Sequence, residues 1–145
     1  MTGKVTAEWT VAVAYAYMDS EITFANNAAI IGNRVPGVPQ NSGSVWTTYD
    51  VASFINVPGQ LVVGGGITYA QSMFIRNDEL NKVPTTFALD GLISYELNGY
   101  KVALNGYNLT DELYYDSYFQ GENAFSSRAT PAAGRTFMLT VGKKW

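Results

Sequence analysis

The chain has 145 residues and a net charge of −3. That is one domain's worth of polypeptide without the basic excess needed to neutralise phosphates, so no nucleic-acid partner is expected. It contains no Cys and no His, which removes disulfides, thiolate nucleophiles, Cys-based metal sites, imidazole bases and the Ser-His-Asp triad.

No run of about 18 apolar residues is present, so no transmembrane helix is expected. The start, MTGKVTAEWT, has no basic region followed by an apolar one, so no signal peptide is expected either. Apolar residues instead alternate with small or polar ones, between stretches rich in turn formers, which predicts an all-β chain.

The first strand is expected at 8–18, with Trp9, Val11, Val13, Tyr15 and Tyr17 on one face and Thr10, Ala12, Ala14 and Ala16 on the other. A second is expected at 43–51, where GSVWTTYDV leaves the two faces hard to assign. The third, at 61–71, sets Leu61, Val63, Ile67 and Tyr69 against Gly64, Gly66, Thr68 and Ala70. The fourth, at 85–97, sets Phe87, Leu89, Ile93 and Tyr95 against Thr86, Ala88, Asp90, Ser94 and Glu96. The fifth, at 101–108, sets Val102 and Leu104 against Lys101, Ala103 and Asn105. The sixth is the closing stretch, with Phe137, Leu139, Val141, Lys143 and Trp145 on one side.

The connections alternate in length. Asn98-Gly99 reads as a two-residue hairpin turn of the I′ kind, and 56–60 as a short turn around Pro58-Gly59. The links 20–42, 72–84 and 110–134 are long. Short turns at one end and long loops at the other are the layout of an outer-membrane β-barrel, with turns on the periplasmic side. Strand parity then predicts both chain ends on that side. Eight residue steps on one face, tilted as in such barrels, rise about 20 Å, near the apolar band of about 25 Å. A soluble sandwich or lipocalin-like barrel shares the period but turns its large apolar face inward. The opposite face here carries Ala, Gly, Thr and Ser rather than the Lys and Glu usual on a soluble surface.

KVALNGYNLTDELYYDSYF followed by RATPAAGRTFMLTVGKKW resembles the C-terminal end of TonB-dependent outer-membrane receptors, the siderophore branch in particular. The carrying residues are Asn108-Leu109-Thr110-Asp111 with Tyr114, then Ala133-Gly134-Arg135-Thr136 and Trp145. GKVTAEWTVAVAYAYMDS, VPQNSGSVWTTYDV and KVPTTFALDGLISYELNG resemble earlier segments of the same barrel, in order. The fold class implied is an antiparallel meander of about six strands, the C-terminal part of a transmembrane β-barrel that has about 22 strands in the family. Residues 1–145 would be a partial barrel without plug domain or signal peptide. Lys143 stands where the family usually carries an aromatic or aliphatic residue.

The resemblance implies ferric siderophore transport across the outer membrane, with no enzyme activity, catalytic residue, resident cofactor or metal site. Implied partners are a ferric siderophore through the complete receptor, the TonB complex through the N-terminal region, the barrel assembly machinery and lipid. The assembly machinery would read the terminal strand residues Phe137, Leu139, Val141 and Trp145. Two other readings of the strands are a complete small outer-membrane barrel with a structural or adhesion role, its long loops hiding two more strands, and a soluble β-barrel binding a small ligand.

The resemblance implies ligand contacts in the last long loop, from Tyr114, Tyr115, Tyr118, Phe119, Phe125 and Arg128. Aromatic faces suit a planar catecholate, and guanidinium suits an anionic iron complex. The competing account puts Tyr114 and Tyr115 in an aromatic girdle and the others in loop packing. Asp90 and Asn105 are expected to face the lumen, Asp90 as a solvated carboxylate or as the partner of a cation. Gly64–Gly66 reads as a strand bend or a close approach of the plug rather than a phosphate loop. Arg135 is expected to fix the passage from loop to strand. Asp78-Glu79 and Asp111-Glu112 read as solvated loop charge, or at most as weak divalent-cation contacts with lipopolysaccharide.

Overall fold

The computed structural model of the protein describes residues 1–123 and 125–144. In chain order the strands are β1 (Thr2–Lys4), β2 (Trp9–Tyr17), β3 (Asn41–Asp50), β4 (Gln60–Ala70), β5 (Met73–Phe74), β6 (Lys82–Val83), β7 (Thr86–Leu97), β8 (Tyr100–Tyr107), β9 (Tyr115–Phe119), β10 (Arg128–Pro131) and β11 (Thr136–Lys143). One antiparallel sheet runs β1-β2-β3-β4-β7-β8-β11, and all six expected strands lie in it as consecutive neighbours. The strands inside the loops, β5/β6 and β9/β10, make separate two-stranded sheets and do not extend the wall.

Register settles the faces, because directly opposed residues share a side. Trp9, Tyr49, Val63, Ile93, Leu104 and Leu139 form one continuous row across six strands. Thr10, Thr48, Gly64, Leu92, Asn105 and Met138 form a row on the other face. The first face is mainly large and apolar, interrupted by the row Thr47, Gly65, Gly91 and Gly106, and it is open: Tyr15, Leu139 and Val141 are each 67–69% exposed. No second sheet covers it among the described residues. A soluble sandwich would bury that face, so the reading with large side chains inside is not what these strands build.

The ambiguous strand resolves through Trp46. It lies on the small-residue face, in register with Ala12 and Gly66. A Cβ at Gly66 would run into its indole ring, and one at Gly64 would lie 3.5 Å from its Cζ2. Gly66 therefore makes room for a tryptophan of the neighbouring strand, and at Gly64 a Cβ would crowd Thr48 and the Thr47 carbonyl, so close packing against β3 accounts for these two glycines.

Two expectations about the ends of the sheet change. The link from β3 to β4 is longer than a tight turn: it holds a helical turn, α1 (Ala52–Ile55), with Asn56 at φ 55° and Gly59 at φ 86°. Asp50 Oδ1 starts it by accepting from the backbone N–H of Ala52 and of Leu61, at 3.1 and 3.3 Å. Met1 lies beside Val13, halfway up β2, because β1 folds back antiparallel along it. The chain start thus sits at mid-sheet and not at the turn end. Asn98 and Gly99 keep the expected turn, at φ 51° and 78°.

Candidate functional site

The three long links, 18–40, 71–85 and 108–135, gather at one end of the sheet. Gly37 N–H donates to Phe74 O at 2.8 Å, and Asn33 Nδ2 donates to Asn77 O at 2.7 Å, joining the first link to the second. Arg34 N–H adds a bond of 3.0 Å to Glu79 Oε1.

The third link leaves β8 through a knot at Asn108, only 1% exposed and held at φ 50°. Its backbone N–H donates to Asp90 Oδ1 at 2.8 Å. Its side chain donates to Glu112 O and accepts from Glu112 N–H, both at 2.9 Å. Leu109 then folds back over Gly91 and Gly106 on the large-residue face, where a Cβ at Gly106 would come within 2.6 Å of Leu109 Cδ2. Asp111 Oδ1 accepts from Arg135 N–H at 2.8 Å, and the two side chains pair at 3.7 Å. Arg135 therefore does fix the start of β11. Asp90, expected as a solvated carboxylate, and Asp111, expected as loop charge, are both hydrogen-bond acceptors within this knot.

Beyond the knot the chain makes the β9–β10 hairpin, with Arg128 opposite Phe119 and Ala129 opposite Tyr118. The hairpin has two unlike faces. Tyr118 packs inward: its ring is where a Cβ on Gly37 would meet it at 3.3 Å, and its hydroxyl lies 3.5 Å from Met73 Sδ. Burial raises its phenol pKa. The Tyr114 phenol is likewise pushed up, first by burial and then by the charges of Asp116 and Asp90. Phe119, Phe125 and Arg128 are exposed, and Tyr115 is half-buried. The expected ligand residues thus divide: Tyr118 is a packing residue joining three loops, whereas Arg128 and Phe119 form an open cross-strand pair.

Asn105 lies on the small-residue face, between Leu92 and Met138. Phe137, Leu139 and Val141 alternate on the large-residue face of β11 as expected, and Trp145 lies outside the described residues. Lys143 shares that face at its margin, with Nζ 4.9 Å from the centroid of the Tyr100 ring opposite.

Sequence reading missed Arg76. It is 7% exposed and bonds Asp78, Gly121 and Ser127. Asp78 is correspondingly no solvated charge: hydrogen bonding to Arg76 holds its carboxyl below the usual range. The two loop partners lie 45 and 51 residues away, so nothing local marks the site. No group of His, Cys, Asp or Glu among the described residues is arranged to hold a metal ion.

A family model for TonB-dependent receptor-like β-barrels matches residues 2–109. The chain is 29% identical over 156 aligned residues to a probable TonB-dependent siderophore receptor, PiuA, of Acinetobacter baumannii, a match covering 100% of this chain and 20% of that protein. The ferrioxamine B receptor of Salmonella typhimurium is 36% identical over 90 residues, covering 57% of this chain and 12% of the receptor. The crystal structure of the siderophore receptor PiuA from Acinetobacter baumannii superimposes with a TM-score of 0.81 at 29% identity, over 97% of this chain and 20% of that one. The ferric yersiniabactin uptake receptor FyuA from Yersinia pestis shares the fold, with a TM-score of 0.80 at 20% identity over 97% of this chain and 21% of its own. The chain spans about a fifth of the length of the first of these relatives.

Proposed function

The chain belongs to the TonB-dependent receptor-like β-barrel family, and from that premise we propose that it forms wall and loops of an outer-membrane receptor for ferric siderophores. The single observation that carries the reading is the open, predominantly apolar face of the sheet backed by a face on which small and polar side chains predominate. Such a sheet is stable where lipid covers one side and a polar lumen the other. On this reading Asp90 and Asn105 face the lumen, and lipid meets the row from Trp9 to Leu139.

The ligand surface is the outer side of the β9–β10 hairpin, centred on Arg128 and Phe119. A guanidinium beside an aromatic face suits an anionic, aromatic iron chelate, and the relatives named as siderophore receptors support a siderophore as the ligand without choosing among its chemical types. The TonB complex would act through other parts of the complete receptor, and the assembly machinery would engage β11. Receptor and transporter roles need no catalytic group, and we assign none.

The test uses the complete receptor in outer-membrane vesicles, titrated with a ferric tris-catecholate and with ferrioxamine B. Binding of the catecholate, weakened about tenfold in Arg128→Ala, is the expected result. A receptor that inserts correctly yet binds neither complex would overturn the reading.

A further inference from the structure

The end of the β9–β10 hairpin is clamped by a cation from a different loop. Arg76 belongs to the 71–85 link and is 7% exposed. On one side its Nε donates to both carboxylate oxygens of Asp78, at 2.8 and 3.1 Å, and Nη2 also bonds that carboxylate. On the other, Nη1 donates to Gly121 O at 2.9 Å and to Ser127 Oγ at 3.1 Å. Ser127 Oγ accepts in turn from Gly121 N–H at 3.2 Å.

These contacts fall on both legs of the hairpin. Gly121 follows Phe119 by two residues, Ser127 directly precedes Arg128, and Phe119 and Arg128 are register partners. A buried cation is costly unless paired and hydrogen-bonded. Here Asp78 supplies the pairing from within the same loop, which leaves the remaining donors to hold the other loop. The planar fork grips both carboxylate oxygens and two further acceptors from three separate nitrogens, a span that the single nitrogen of an ammonium does not reproduce.

We propose that Arg76 is a positioning residue for the ligand: it sets the hairpin so that Arg128 and Phe119 present one fixed surface to an anionic ferric chelate. The proposal deepens the functional reading above and rests on it for the ligand. Arg76 itself is buried and acts through Arg128. The half-buried Tyr118 on the hairpin's inner face ties it independently to Gly37 and Met73.

The experiment uses the complete receptor and has two arms. Amide hydrogen exchange of residues 119–128 is read without ligand, and the Kd for a ferric tris-catecholate is read in Arg76→Gln, Arg76→Lys, Arg128→Ala and the Arg76→Gln/Arg128→Ala double variant. Arg76→Gln should speed exchange and raise Kd about tenfold, and Arg76→Lys should recover little of either. The double variant should bind within about twofold of Arg128→Ala alone, because two residues acting through one contact do not add. Faster exchange with unchanged Kd in Arg76→Gln overturns the proposal, as does a double variant whose losses multiply. If the unaltered receptor binds no ferric chelate, the functional reading fails, and the exchange arm still decides the clamp: faster exchange in Arg76→Gln supports it and unchanged exchange overturns it.

Discussion

Asn108 stands at φ 50°, a left-handed position that Asn tolerates better than most residues, and its amide closes the turn by bonding Glu112 in both directions. Asn108→Ala removes both bonds and leaves the Glu112 N–H and C=O without their side-chain partner. It should lower the stability of the complete receptor by about 1–3 kcal/mol, read as a lower denaturant midpoint in detergent. A midpoint equal to that of the parent would mean that water replaces the amide. Asp78 carries a pH dependence of known sign. Arg76 holds its carboxyl below the ordinary range, so the clamp contributes fully above the unfolded value of about 3.9 and is lost as pH falls through the lower folded value. Exchange protection at 121–128, corrected for intrinsic rates, should therefore persist from neutral pH down to that region. Loss of protection between pH 5 and 6 would show that another group controls the loop.

Among the elements, β3 and β4 are coupled by an exchange of volume, with Trp46 occupying the space that Gly66 leaves on the small-residue face. Gly66→Val should destabilise the complete receptor by about 1–3 kcal/mol through overpacking. Trp46→Leu should be the more tolerated change in the Gly66→Val background, because the collision is with the ring. A double variant as unstable as the sum of the singles would mean that the strain lies elsewhere. β11 tests the face assignment. Leu139→Arg should cost about 2–4 kcal/mol if that residue faces lipid near mid-depth. Thr140→Arg, one residue along and on the opposite face, should be nearly neutral. Both can be read from the temperature at which the folded receptor converts to its slower-migrating form on a gel. Equal effects at the two positions would contradict the alternation.

At the scale of the molecule, the wall is an open sheet whose outermost strands, β1 and β11, are not neighbours. In hydrocarbon each unpaired edge group costs several kcal/mol, so two edges together cost on the order of tens of kcal/mol. The 145-residue chain on its own should accordingly form no uniform channels in a planar bilayer; stable unitary conductances would show that it closes by self-association. The loops form a second cohesive unit. Its buried apolar residues include Ile75 and Val83, and its ties run among all three long links. Substitutions at Arg76 and Tyr118 should therefore loosen the loop cluster while leaving the wall's melting temperature within a few degrees of the parent's.

Alternation in the sequence was sufficient to locate β2, β3, β4, β7, β8 and β11 and to assign the faces of five of them, because a strand's two sides are written directly in its period of two. The Asn98-Gly99 turn was legible for the same local reason, since both residues accept positive φ. What stayed illegible depended on partners far along the chain. Trp46 could be placed on a face only through its register with Gly66. The charges of Asp78 and Asp90 looked solvated until Arg76 and the backbone of Asn108 were seen to meet them. Tyr118 and Arg128 looked alike as loop residues until hairpin pairing turned one inward and the other outward. Local backbone preference decides where strands begin and turn. Which side chains a loop buries is decided by contacts across 45 or more residues, and only the assembled tertiary structure contains those.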